Sequence, residues 1–315
     1  MRHMSLFAGI GGFDLGFERV GMESVGQVEI DSHCREVLSQ RFPGVPRWED
    51  VKDVTGAELP DCDVLTGGFP CQDISVAGRR AGLDGDRSGL WFEFARIIAE
   101  TSPRWVVIEN VPGLLSSNGG RDMGTILGFL GEHGYGWAYR VLDAQWFGVP
   151  QRRRRVFIVG HLGGDGASEV LALGQGSRRD SPPSRDTGSF ATQAFTGSTF
   201  GGGGADDNRA QGGFVVAFQS NAGNRLVAEL HEDQSPPLKV PPNGPPAIVG
   251  QQVRRLTPTE CARLQGFPDD WNDWLSDTQR YRQFGNAVAV PVAEWLGRQL
   301  MELGRGEETH GDDPQ

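Results

Sequence analysis

The fold is decided by Ser5-Leu6-Phe7-Ala8-Gly9-Ile10-Gly11-Gly12, which follows a predicted strand and opens a predicted helix. Its glycines allow the sharp turn and the close approach to a ligand that a nucleotide-binding loop needs. At the end of the next predicted strand, Glu29 and Asp31 are placed to accept hydrogen bonds from ribose hydroxyls. The alternative is a glycine turn that only packs the helix on the strand.

Strand and helix patterns alternate over the first half of the chain, which predicts an α/β fold with an open parallel sheet. Met123, Ile126, Leu127 and Leu130 recur at helical spacing and should face the core. The predicted strands cover residues 3–7, 24–30, 62–66, 105–109, 137–142 and 155–159, and the predicted helices cover 12–20, 32–41, 89–100 and 123–132.

The dinucleotide-binding fingerprint is incomplete. Asp14 stands where a G-x-G-x-x-G motif that begins at Gly9 requires its third glycine. This disfavours a nicotinamide-dependent oxidoreductase and leaves room for another adenosine-containing cofactor.

A cysteine lies in the glycine-flanked turn Gly67-Gly68-Phe69-Pro70-Cys71-Gln72, directly after a predicted strand. A thiol at the exit of a strand, beside the long loop of residues 73–88, is where a nucleophile would lie. The commoner role of a single cysteine is that of a small buried hydrophobe. The hexapeptide alone leaves both interpretations open.

Composition narrows the class of protein. The net charge of −11 over 315 residues argues against a general nucleic-acid-binding protein, although charge is locally positive in Gln151-Arg152-Arg153-Arg154-Arg155. The four cysteines show no CxxC spacing, so neither a metal site nor a disulfide framework is expected. The apolar runs are too short to cross a bilayer and no signal peptide is recognisable, so we expect a cytoplasmic protein.

The second half of the chain changes in character, because no Val, Ile, Leu or Met occurs between Leu173 and Val215. We expect residues 163–250 to form a small, loop-rich region with short strands at 214–218, 226–230 and 247–249. Regular structure then resumes. A capping box at Thr257 and Glu260 predicts the start of a helix, which should end near Gln265. Another helix is predicted from Pro291.

Six short motifs, in this order, resemble those of the C5-cytosine DNA methyltransferases of bacterial or phage type. They are Phe7-Ala8-Gly9-Ile10-Gly11-Gly12, Gly68-Phe69-Pro70-Cys71-Gln72, Glu109-Asn110-Val111, Gln151-x-Arg153-x-Arg155, Arg255-Leu256-Thr257-Pro258-Thr259-Glu260-Cys261-Ala262-Arg263 and Gln283-Phe284-Gly285-Asn286-Ala287-Val288. The resemblance implies a Rossmann-like, S-adenosylmethionine-dependent methyltransferase sheet with a small, loop-rich target-recognition domain.

The resemblance also implies the site residues. S-adenosylmethionine would contact Phe7, Gly9, Gly11, Glu29 and Asp50, with Asn286 and Ala287 closing its pocket. The catalytic residues would be Cys71, which adds to cytosine C6, Glu109, which acts at N3, and Arg153 and Arg155, which bind the DNA backbone and the cytosine O2. DNA contacts are expected from Gln72, Ser75 and Arg79 around the flipped-out base, and from Arg209 and Arg225 in the target-recognition region.

By the same resemblance, residues 1–162 form the catalytic and cofactor-binding domain, completed by 284–303. Residues 163–250 are the target-recognition region, 251–283 a hinge, and 304–315 an acidic tail. The expected partner is double-stranded DNA, bound by a monomer, with a possible cognate restriction endonuclease, and neither a metal nor a membrane is expected. The alternatives are the tRNA-methylating branch of the family, whose Cys-Phe-Thr segment is absent here, and an inactive DNA-binding homologue.

Overall fold

A computed structural model describes residues 1–70, 89–172 and 252–308, together with the strand segments 192–194, 215–217 and 246–249. The chain divides into two compact units. The first, called here the sheet unit, comprises Met1–Leu142, Arg154–Ser177 and Val292–Gln315, and the second unit comprises Asp143–Arg153 and Arg178–Pro291. The domain bounds derived from the resemblance remain predictions.

The sheet unit contains one large sheet of seven strands. The strands are β1 Arg2–Leu6, β2 Glu23–Val28, β3 Arg47–Trp48, β4 Val64–Gly67, β5 Trp105–Asn110, β6 Tyr135–Asp143 and β7 Arg154–Leu162. Their order in the sheet is β3-β2-β1-β4-β5-β7-β6. Neighbouring strands from β3 to β5 are parallel, whereas β7 runs antiparallel to β5.

The predicted strands of this sheet are therefore confirmed, but the parallel arrangement holds only as far as β5. The connection between β6 and β7, residues 144–153, is shorter than the dozen or more residues of a parallel crossover. The two strands are instead direct neighbours in the sheet, at the end of the strand order.

The described helices are α1 Gly12–Glu18, α2 Ser32–Arg41, α3 Gly89–Thr101, α4 Arg121–Glu132, α5 Ala167–Val170, α6 Pro258–Gln265, α7 Asp277–Asn286 and α8 Val290–Glu308. Of the four residues of α4 predicted to face the core of the sheet unit, Met123, Ile126 and Leu130 are buried in it and Leu127 is partly buried against it. Helix α8 extends into the stretch expected to be an acidic tail, and residues 309–315 lie outside the described residues. No helix in the described ranges combines the length and apolarity needed to span a membrane.

Helices α1 and α8 approach each other closely inside the sheet unit. A Cβ atom placed on Gly16 would lie 2.6 Å from the Cβ of Ala293, and one on Gly297 would lie 2.8 Å from the ring of Phe17. Because neither position has room for a side chain, glycine is required at both. An early helix of the chain and a late one thus form one packed layer.

The second unit contains a small sheet of the order β11-β10-β9-β8, formed by β8 Thr192–Ala194, β9 Val215–Ala217, β10 Pro246–Val249 and β11 Gln252–Arg255. Two of the three predicted short strands are confirmed, and the third, 226–230, lies outside the described residues. Helix α6 begins with the predicted capping box, in which Thr257 and Glu260 bond each other's backbone amides. Helix α7 and strands β3, β8 and β11 were not predicted.

Candidate active site

The loop between β1 and α1 has a backbone that few residues adopt. Phe7, Gly9 and Gly11 have φ angles of 54°, 57° and 81°, in the left-handed region. A Cβ atom on Gly9 would meet nothing within 4 Å, whereas one on Gly11 would lie 2.5 Å from the ring of Phe42. Gly9 therefore faces open space that a ligand can enter, and Gly11 allows the loop to pack on α2. For Phe7 this conformation costs about 1 kcal/mol, the kind of strain that is concentrated at functional sites.

Glu29, at the end of β2, connects this loop to the sheet. Its carboxylate accepts hydrogen bonds from the backbone amide of Gly9 at 2.7 Å and from that of Asp31 at 2.8 Å. Burial raises the pKa of Glu29 above its ordinary value, and the two amide bonds oppose that shift. A carboxylate has about four acceptor positions, so these contacts leave capacity for the predicted ribose contact.

Asp31 and Asp50 each cap a helical turn, whereas Ile30 is an exposed apolar residue. Asp31 accepts bonds from the first amides of α2, and Asp50 accepts from the amide of Lys52 in a 3₁₀ turn. Ile30, between Glu29 and Asp31, is 69% exposed, and Arg35 bonds its carbonyl oxygen at 2.8 Å. Sequence reasoning missed Ile30. Apolar residues are common directly before a helix cap, so the sequence alone gave no signal that Ile30 is exposed.

Asp14 replaces the third glycine of the fingerprint with a buried hydrogen-bonding group. The hydroxyl of Ser5 donates to both of its carboxylate oxygens, at 3.0 and 3.1 Å, and the amide of Gln27 donates at 2.9 Å. Arg47 in turn donates to the side-chain oxygen of Gln27 at 3.2 Å. Burial raises the pKa of Asp14 to about 6, although these hydrogen bonds favour the charged form. The network joins α1 to β1, β2 and β3 beneath the glycine loop.

At the opposite side of β1, strand β4 leads into the turn that precedes Cys71. The side-chain amide of Asn110 donates to the carbonyl oxygen of Phe69 at 3.0 Å. A Cβ atom on Gly68 would lie 2.9 Å from Oε2 of Glu109, so the carboxylate lies directly against this turn. Cys71 follows Pro70 in the chain, and it lies outside the described residues, as do Gln72, Ser75, Arg79, Arg209 and Arg225.

Glu109 and Arg155 are brought together by the reversed direction of β7. The Nε atom of Arg155 lies 2.9 Å from Oε1 of Glu109, and their side chains are only 18% and 13% exposed. The carboxyl end of β5 and the amino end of β7 meet at one edge of the sheet because the two strands are antiparallel. The sequence predicted both residues for the site but not the ion pair between them.

Arg153 lies in the second unit and is 3% exposed. Its two terminal nitrogens donate to the carbonyl oxygens of Gly285 at 3.0 Å and Ala287 at 2.8 Å. Asn286, between them, is exposed, and Ala287 is buried. The guanidinium thus bonds the backbone of the predicted C-terminal motif, and its expected contact with DNA stays a prediction.

The other cysteines have surroundings unlike those of a nucleophile. Cys34 and Cys261 are buried, and Cys62 is half-buried. Burial, reinforced by neighbouring carboxylates, raises the pKa of Cys62 to about 12, and burial also raises that of Cys261. Both groups are therefore thiols at neutral pH and poor nucleophiles. The described residues contain no cluster of three or more side chains suited to a metal ion.

Known proteins are similar to the chain over most of its length. A family model described as C-5 cytosine-specific DNA methylase matches residues 1–188 and 204–302. The chain is 35% identical over 320 residues to the Type II methyltransferase M2.BsuMI of Bacillus subtilis strain 168, over 96% of this chain and 76% of that protein. It is 34% identical over 310 residues to the Type II methyltransferase M.NlaX of Neisseria lactamica, over 94% of this chain and 95% of that protein.

A solved structure has the same fold. The S. pombe Dnmt2 methyltransferase aligns with a TM-score of 0.64 at 21% identity, over 96% of this chain and 99% of that chain. The predicted α/β class, with a Rossmann-like methyltransferase sheet, is thereby confirmed.

Proposed function

The chain belongs to the C-5 cytosine-specific DNA methylase family, and we propose that it methylates C5 of a cytosine flipped out of duplex DNA, with S-adenosylmethionine as methyl donor and a covalent bond from Cys71 to cytosine C6. One observation carries the proposal. The turn of residues 68–70, which directly precedes Cys71 in the chain, accepts a hydrogen bond from Asn110 and lies against the carboxylate of Glu109, which is paired with Arg155.

The loop of residues 7–11 fits an adenosine-containing cofactor. The open space at Gly9 gives a ligand access to the backbone, and the carboxylate of Glu29 lies within hydrogen-bonding distance of that same backbone. Phe7, Gly9, Gly11, Glu29 and Asp50 would hold S-adenosylmethionine, and the exposed side chain of Ile30 offers an apolar surface for a base. When bound, this cofactor supplies a methyl group on a positively charged sulfur.

The chain's residues make cytosine reactive. C5 of cytosine is a weak nucleophile, and addition of the Cys71 thiolate to C6 turns the ring into an enamine whose electron pair is available at C5. Glu109 holds a proton at N3 as negative charge moves there, and Arg155 contacts the cytosine O2. After C5 has gained its methyl group, a base removes the C5 proton. The C6–S bond then breaks, its electron pair returns to sulfur, and the C5–C6 double bond is restored.

The DNA-binding part of the proposal rests on the resemblance. Extrusion of a paired base costs a few kcal/mol. Gln72, Ser75 and Arg79 would compensate for this cost near the vacated space, and Arg209 and Arg225 would contact base edges in the major groove. A monomer is sufficient to flip one base. The Type II relatives favour a restriction–modification context, with a cognate endonuclease as the partner enzyme.

The test is methylation of unmethylated duplex DNA in the presence of S-adenosylmethionine, with the products identified by bisulfite sequencing. The wild type should methylate cytosine within one short sequence, and Cys71→Ala should abolish the reaction. Cys62→Ala is the matched control and should retain activity, because that thiol is held protonated. A folded protein that binds the cofactor but leaves every duplex unmethylated would contradict the proposal, and tRNA would be the next substrate to test.

A further inference from the structure

Two buried side chains from distant parts of the sequence bond the same helix end in the second unit. Arg153 donates to the carbonyl oxygens of Gly285 and Ala287, at 3.0 and 2.8 Å. The side-chain amide of Gln265, the last residue of α6, donates to the carbonyl oxygen of Phe284 at 2.7 Å. Gln265 is fully buried, and Arg153 nearly so.

These contacts supply hydrogen bonds to backbone carbonyl groups at the end of α7. The last carbonyl groups of a helix have no partner within the helix, and buried ones must be bonded by other groups. Helix α7 ends at Asn286, and the chain continues at Ala287 in an extended conformation, with φ −62° and ψ 148°. A cation at a helix C-terminus also interacts favourably with the helix dipole. Arg153 and Gln265 therefore determine where this backbone leaves the helix.

Arg153 is itself held in place through its backbone. Its amide donates to Oδ1 of Asp143 at 2.9 Å, and its carbonyl oxygen accepts from the amide of Ala144 at 3.1 Å. A side chain fixed at both ends can hold its partner with little loss of conformational entropy on ligand binding. A mobile surface arginine that meets DNA phosphates has no need for this arrangement.

We propose that Arg153 and Gln265 are positioning residues that set the backbone of Asn286 and Ala287, the two residues predicted to close the cofactor pocket. The inference rests on the proposed function, since it concerns the cofactor of that reaction. It assigns Arg153 a task different from the DNA contact that the resemblance implies. Substitution of either residue should weaken cofactor binding while the electrostatic part of DNA binding persists.

The experiment compares Arg153→Lys, Arg153→Met and Gln265→Met with the wild type in the full-length chain. Calorimetry measures the Kd of S-adenosylmethionine, and DNA binding is measured over a range of salt concentrations. Both Arg153 variants and Gln265→Met should bind the cofactor on the order of tenfold more weakly. Arg153→Met should keep the wild-type salt dependence of DNA binding. The control is Arg263→Lys, because Arg263 is an exposed arginine of the same unit, paired with Asp269. This variant should bind S-adenosylmethionine with the wild-type Kd.

A phosphate contact by Arg153 gives the opposite pattern. Arg153→Lys would then retain cofactor affinity, and Arg153→Met would lower the slope of log K against log salt by about one; that result overturns the inference. If the Arg153 variants fail to fold in thermal melts, Gln265→Met decides, and wild-type cofactor affinity in that variant overturns it equally. A wild type that binds no S-adenosylmethionine contradicts the proposed function itself.

Discussion

Arg155 and Glu109 form an ion pair across two antiparallel strands, with 2.9 Å between Nε and Oε1, at the edge of the sheet where β4 leads into the turn before Cys71. The carboxylate also lies against Gly68 of that turn. Because both side chains are largely buried, neither can move far without losing its partner. The pair holds one carboxylate oxygen in a fixed direction beside the turn that directly precedes Cys71 in the chain.

Glu109→Gln should lower the rate of methyl transfer by roughly 10²–10⁴-fold, because the variant keeps the shape of the side chain but removes the group that acts at N3. Single-turnover transfer of a radiolabelled methyl group to duplex DNA measures this rate. Glu100→Gln, on the partly exposed surface of α3, is the matched control and should react at the wild-type rate. A Glu109→Gln rate within threefold of the wild type would contradict the assigned role.

Gly68→Ala should separate activity from stability. The new Cβ would lie 2.9 Å from Oε2 of Glu109, so this oxygen must shift. Because Arg155 bonds the other oxygen, Oε1, a small rotation of the carboxylate keeps the ion pair and costs little folding free energy. Its displacement from the site should lower the rate at least tenfold, since misplacement of a catalytic group by about 1 Å has large effects. Thermal melts and single-turnover rates together test this. A fall in stability with an unchanged rate would be evidence against the geometry.

Gly9→Ala and Gly11→Ala should fail in different ways. At Gly9 the added Cβ enters the open space proposed for the cofactor, so S-adenosylmethionine should bind more weakly while stability falls by only about 1 kcal/mol. At Gly11 the Cβ would lie 2.5 Å from the ring of Phe42, so the main effect should be a lower melting temperature. Calorimetry and thermal melts of both variants check the contrast, and an identical pattern in both would refute it.

Asp14 should give the protein a pH-dependent stability. The pKa of Asp14 is raised to about 6 in the folded protein from its ordinary 3.8, mainly by burial and slightly by the charge of Glu18. Arg47 is the positive group facing it. The folded protein therefore retains a proton that the unfolded chain has released, and this contribution to stability is lost as pH rises from about 4 to about 6.

Asp14→Asn removes this titration. Relative to the variant, the free energy of unfolding of the wild type should fall by roughly 1 kcal/mol between pH 5 and pH 7. Urea unfolding at the two pH values measures the difference. A gap between wild type and variant that stays constant, or that widens in favour of the wild type as pH rises, would show that Asp14 titrates near its ordinary value.

Much of the fold was predictable because the local signals agreed with the tertiary structure. Helix α2 was predicted with its exact bounds, and α6 with its capping box. Helix α7 was missed because its buried face includes Arg280 and Gln283, which bond to other side chains, so no apolar periodicity marks it. Its own capping box, Ser276 with Gln279, was the signal that could have revealed it.

The residues of the site could be predicted from the sequence, but their ion-pair and hydrogen-bond partners could not. A motif such as Gln151-x-Arg153-x-Arg155 places two arginines in the chain without stating which one is buried. Arg155 pairs with a carboxylate of β5 and Arg153 with backbone carbonyls near residue 286, and both contacts depend on long-range topology. Burial of a charged side chain is decided by its partners, which lie far away in the sequence.

The contact between α1 and α8 can form only late in the synthesis of the chain. The ribosome makes the glycine loop and α1 early, but the helix that covers Gly16 and Phe17 emerges only after the second unit has been synthesised. The nascent chain therefore carries an uncovered apolar surface on α1 for most of its translation, when it is open to chaperones and to aggregation. A truncated chain that ends shortly before α8 would contain most of the catalytic motifs but would lack the helix that packs on α1. Methylation should thus begin only when translation has passed α8, which delays the activity relative to the synthesis of its catalytic motifs.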